Sequence, residues 1–111
     1  GQQRPVEFAA AFEHLAIETP GPYTLEFRIQ SQSTGAGELY WTTDGQTILP
    51  KGKHLDFKVK HDGEWHEHKL RIEEQGTLHA FRLDPCGGEG DVVIEGLMLK
   101  SADGKVLAKC P

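Results

Sequence analysis

Apolar and polar residues alternate with period two along much of this chain, the signature of strands that bury one face. The clearest run is residues 23–30. Tyr23, Leu25, Phe27 and Ile29 share one face there, and Thr24, Glu26, Arg28 and Gln30 share the other. Residues 38–43 predict a second strand, carrying Tyr40 and Trp41, and residues 54–60 a third, with Leu55, Phe57 and Val59 inward. The stretch from Trp65 to Ile72 alternates as well. Asp62-Gly63 lies between these last two runs and is a strong hairpin signal, because both turn positions tolerate positive φ. Gln75-Gly76 leads into a strand ending at Asp84-Pro85. Residues 91–99 predict a buried strand bulged at Gly96, since Ile94 and Leu97 break strict alternation. Asp103-Gly104 closes a last hairpin, with Val106 and Leu107 on its return strand.

Residues 6–15 fit two patterns. Phe8, Phe12 and Leu15 make a helical stripe, whereas Val6 with Phe8 and Leu15 with Ile17 make two short strands. Strands are the preferred reading, because a sandwich must pair its edge. Thr19-Pro20-Gly21-Pro22, Thr43-Asp44-Gly45 and Leu49-Pro50-Lys51-Gly52 read as turns. Residues 31–37 form a polar loop, and Cys86-Gly87-Gly88-Glu89-Gly90 a mobile glycine-rich one. No convincing helix and no internal repeat interrupts the short, turn-bounded runs. The expected fold is an all-β antiparallel β-sandwich of eight or nine strands, of jelly-roll or galactose-binding-like type.

Composition narrows the function. A chain of 111 residues fills one core. Residues 6–111 are read as that single module, and Gly1-Gln2-Gln3-Arg4-Pro5 as a linker or excision boundary. A net charge of −5 argues against a dedicated nucleic-acid binder, which needs a basic footprint. No apolar run approaches a membrane span. Cys86 and Cys110 are far apart, one after a strand and the other next to last. That placement suits a disulfide and, with it, an oxidising compartment, secreted or periplasmic. The spacing does not suit a zinc ribbon.

A resemblance adds to this. Leu39-Tyr40-Trp41, His61-Asp62-Gly63-Glu64-Trp65-His66-Glu67, Phe81-Arg82-Leu83-Asp84-Pro85, the glycine-rich loop and Val92 to Leu99 together resemble a family of accessory β-sandwich modules. These modules are fused to bacterial carbohydrate-active enzymes such as sulfatases and glycoside hydrolases, and are similar to galactose-binding-like carbohydrate-binding modules. The resemblance spans roughly residues 22–100. It implies a monomeric, non-catalytic module that holds a covalently linked catalytic domain on a polysaccharide, either neutral or anionic (uronate or sulfated). The rival implication is an accessory module that packs against its parent enzyme and binds no sugar.

Several residues can carry such binding. An apolar sugar face stacks on an indole, which makes Trp65 and Trp41 candidates. Trp41 shares parity with the inward Leu39 and is read as core, with Tyr40 facing the other way. Trp65 sits beside the Asp62-Gly63 turn and is read as the centre of a ligand site. His66, His68 and Tyr40 would supply hydrogen bonds there, and Arg28 and Lys69 anion contacts. His66 and His68, with His54 across from them, also raise a zinc or copper reading. A structural calcium would use loop carboxylates such as Asp84, Glu89 or Asp91; otherwise no cofactor is expected. No nucleophile elbow, phosphate loop or oriented Cys-His pair is present, so enzymatic activity is not expected.

Overall fold

The computed structural model describes residues 10–12, 17–43 and 53–109. They form eight strands and no helix: β1 (Ala10–Phe12), β2 (Tyr23–Ser31), β3 (Gly37–Thr42), β4 (His54–Phe57), β5 (Trp65–Ile72), β6 (Ala80–Asp84), β7 (Val92–Ser101) and β8 (Val106–Lys109). Two antiparallel four-stranded sheets result, in the orders β1-β6-β3-β4 and β5-β2-β7-β8. The readings of residues 1–5, most of residues 6–15, and the turns near Asp44 and Pro50 lie outside the described residues.

Alternation explains why these segments are strands and which way each faces. On β2, Tyr23, Leu25, Phe27 and Ile29 are each at most 3% exposed. Burial of each such side chain contributes about 1.5–3 kcal/mol. They join Leu39 and Trp41 of β3, Leu70 and Ile72 of β5, Phe81 and Leu83 of β6, and Val92, Leu97 and Leu99 of β7 in one apolar cluster shared by both sheets. Gly96 carries the expected bulge. Two residues of β7, Gly96 and Leu97, stand opposite Phe27 alone, and Gly96 takes φ +66°, open to glycine at little cost. The extra residue returns Leu97 to the core after Ile94, so both apolar residues pack inward.

A polar cluster closes one end. The Tyr23 hydroxyl donates to the Thr19 carbonyl (2.6 Å) and accepts from the Leu78 N–H (3.0 Å). Beside it, Glu74 accepts from Trp41 Nε1 (2.9 Å), from the Gly76 N–H (3.0 Å) and from Lys53 Nζ (2.8 Å). Trp41 is 9% exposed, as its parity with Leu39 requires.

Three sequence expectations need revision. Asp62-Gly63 does turn the chain, with Gly63 at φ +78°, yet it joins no hairpin. β4 and β5 belong to different sheets, and residues 58–64 carry the chain between them. Pairing of β4 with β3 ends at Phe57 opposite Gly37, and Lys58, Val59 and Lys60 continue outside any strand. Val59 instead packs against the core. The Cys86–Gly90 loop, expected to be mobile, is bonded to residues 32–34. Gln32 N–H donates to the Asp91 carbonyl (2.8 Å), Gly87 N–H to the Thr34 carbonyl (2.9 Å), and Ser33 Oγ to the Gly88 carbonyl (2.9 Å).

The third revision concerns the expected bridge between Cys86 and Cys110. Cys86 is a free thiol, 4% exposed, with its Sγ directed at the Gly88 carbonyl (3.5 Å). Cys110 lies outside the described residues. In the native protein Cys86 is expected to resist a maleimide. After denaturation without reductant it should take the label, as read by peptide mass. Labelling that appears only after reduction would establish a bridge instead.

Candidate functional site

The outward face of the β5-β2-β7-β8 sheet is laid out in cross-strand rows. Trp65, Gln30 and Val93 make one row across β5, β2 and β7, and Glu67, Arg28 and Glu95 make the next. Lys69, Glu26 and Met98 follow beyond the Gly96 bulge. The bulge opens a shallow concavity of about 230 Å³ lined by Arg28, Glu67, Lys69 and Met98 among others.

The first row stands out because it leaves large apolar side chains in water: Trp65 is 37% exposed and Val93 44%. The Arg28 guanidinium carbon lies 4.7 Å from the centre of the indole, within cation–π range. Arg28 is also ion-paired with Glu95 on the adjacent strand. The indole is thereby held in place by a packed cation while part of its surface stays open. Where the row meets the strand ends, a second concavity of about 350 Å³ is lined by Gln30, Gln32, Asp91, Val93 and Gly63. Gln30 Nε2 donates to the Gly63 carbonyl (3.0 Å), which orients the amide beside the indole. Rigid ring, fixed amide and carboxylate on one side make a surface suited to hydroxyl-bearing ligands.

The residues expected to form one site divide over three places. Trp65, Arg28 and Lys69 share the outward face just described. His66 and His68 alternate with Trp65 on β5 and therefore point inward, with Leu70 and Ile72. His66 Nε2 lies 3.0 Å from both carboxylate oxygens of Asp62. The Glu64 N–H and this imidazole hold the Asp62 carboxyl below its usual range. His68 stacks on Phe27 at 5.3 Å and meets Phe57 edge-on at 5.4 Å, with its Nε2 buried and without a hydrogen-bond partner. Burial, and then the neighbouring His66, push its pKa below the ordinary histidine range. His68 is thus a half-buried side chain on the inward side of β5, packed against Phe27 and Phe57.

Tyr40 lies on the outward face of the other sheet. Its ring sits between His54, stacked at 5.5 Å, and the Arg82 guanidinium at 5.2 Å. Arg82 in turn bonds both carboxylate oxygens of Asp84, at 3.1 and 2.9 Å. His54 is therefore not across from His66 and His68. Among the described residues, no three His, Cys, Asp or Glu side chains come together as metal ligands.

Sequence reasoning overlooked one serine-histidine pair. Ser31 Oγ lies 2.6 Å from His61 Nδ1, while His61 Nε2–H donates to the Gly35 carbonyl (2.7 Å). With Ser31 only 1% exposed, the pair fastens the 58–64 crossing to the end of β2 and offers no nucleophile to a substrate. Gln30, Val93 and Glu95 were also overlooked. Their parity is readable from the sequence, but their alignment with Trp65 depends on which strands pair. No family model matches the chain, and no curated protein or solved structure matches it either.

Proposed function

We propose that this chain is a non-catalytic carbohydrate-binding module of the jelly-roll, galactose-binding-like type, secreted or periplasmic, joined covalently to a domain that acts on a polysaccharide. The observation that carries this reading is the half-open indole of Trp65, set in a row with Gln30 and Val93 beside a polar concavity. An indole face takes the C–H face of a pyranose ring, and fixed amide and carboxylate groups take its hydroxyls. Binding raises the effective concentration of the linked domain at the polymer, with no chemistry needed from the module itself.

The test is affinity electrophoresis of the isolated module through gels containing polysaccharides. Retardation is expected in at least one gel, and Trp65→Ala should weaken it by about tenfold or more, a loss of about 1.4 kcal/mol. The melting temperature should stay near that of the parent, because Trp65 lies outside the core cluster. A second reading is favoured by the same exposed pair, Trp65 and Val93: this patch docks onto the linked domain and binds no sugar. Retardation in no gel, combined with capture of the separately expressed linked domain, would establish that reading instead.

A further inference from the structure

We infer that the Trp65 face takes uncharged glycans and turns away uronate-rich and sulfated ones, a conclusion that rests on the carbohydrate-binding reading above. Recognition of a sulfate or carboxylate calls for a free cationic fork, and Arg is the residue best shaped for it. The cation beside the indole is Arg28, and it is already engaged. Its guanidinium is ion-paired with Glu95 on one neighbouring strand and packs over the Trp65 ring, and Arg28 stands in register with Glu67 of the other strand. No Lys, Arg or His lines the concavity at the end of the row: its lining residues are Gln30, Ser31, Gln32, Gly63, Asp91, Val92 and Val93.

Among the groups of the two rows and the adjoining concavity, carboxylates outnumber the one cation, Arg28. Arg28 shares its row with two carboxylates, Glu67 and Glu95, and Asp91 lines the adjoining concavity. The next cation along β5 is Lys69, four residues from Trp65 and so about 14 Å away, too far to meet a charge on the sugar stacked at the indole. Carboxylates and amides are, on the other hand, good partners for sugar hydroxyls, which donate to the first and exchange bonds with the second. A hydroxyl-rich, charge-free pyranose is the ligand whose chemistry matches every group in the row.

The experiment compares neutral polymers (glucan, xylan, galactan) with polygalacturonate, chondroitin sulfate and heparin, at low and at moderate salt. Retention on at least one neutral polymer is expected, dependent on Trp65 and little changed by salt, with no retention on the anionic polymers at low salt. Glu95→Gln should leave the fold unchanged, since an exposed ion pair contributes little stability. The variant should gain weak, salt-sensitive retention on the anionic polymers as Arg28 is released. Trp65-dependent retention of the parent protein on an anionic polymer would overturn this inference while leaving the carbohydrate reading intact. Retention on no polymer at all would overturn both, and a Glu95→Gln variant without the gain would overturn the role given to the carboxylates.

Discussion

Replacing Trp41 with alanine is expected to lower stability by about 3–5 kcal/mol, the range for truncating a buried tryptophan. The indole is 9% exposed and stands opposite Phe81 of β6 inside the shared apolar cluster. Truncation would remove that packing and also the bond from Nε1 to Glu74. The comparison with Trp65→Ala makes the expectation informative. The two tryptophans occupy opposite roles, one joining the sheets and the other standing outside them. Urea denaturation of the two variants should therefore differ by several kcal/mol in the direction opposite to their effects on glycan retention. A Trp41→Ala variant within about 1 kcal/mol of the parent would show that the indole is not core, since surface changes stay in that range.

How far the sequence reaches is visible in these two residues. Trp41 could be placed from local parity alone, because β3 alternates without interruption beside Leu39. The same parity set Trp65 opposite Leu70 and Ile72, and it also put His66 and His68 on the inward face. Gathering Trp65 with those histidines in one site therefore went against the alternation of β5 itself. The bulge at Gly96 was legible for a similar reason: Ile94 and Leu97 cannot both face the core of a regular strand.

What was not legible is set by long-range pairing. Asp62-Gly63 has the chemistry of a hairpin turn, and the turn forms, but the flanking strands find partners in different sheets. A hairpin signal reports the local backbone, whereas strand pairing is decided by which edges remain unfilled. β4 pairs with β3, and β5 with β2, more than thirty positions away in sequence. The placement of Tyr40 follows from this. With β4 and β5 split between sheets, Tyr40 and His54 form their own stack on the face opposite Trp65. Glu74 escaped notice because its partners, Trp41 and Lys53, come from outside its own loop.

Glu74 also makes the fold sensitive to acid, and the effect has a definite sign. Hydrogen bonds from Lys53, from the Gly76 N–H and from Trp41 Nε1 lower its pKa from 4.5 to about 2. A carboxyl depressed in the folded state binds its proton more readily in the unfolded chain. Its stabilising contribution is thus fully present above about pH 4.5 and is lost as the pH falls toward about 2. Near neutral pH, Glu74→Ala is expected to cost about 1–3 kcal/mol in all, because the part-buried donors Trp41 Nε1 and the Gly76 N–H lose their acceptor. The Asp62 and Asp103 carboxyls are also held below their usual range, by hydrogen bonds from the Glu64 N–H and His66 and from Ser101 and the Lys105 N–H respectively. The quantity to measure is therefore the difference in unfolding free energy between parent and variant as a function of pH. That difference should be largest above about pH 4.5 and should shrink steadily below it, as protonation of Glu74 in the parent removes the charge that the variant already lacks. Two parallel pH profiles would show that the Glu74 carboxylate does not hold this end of the fold together.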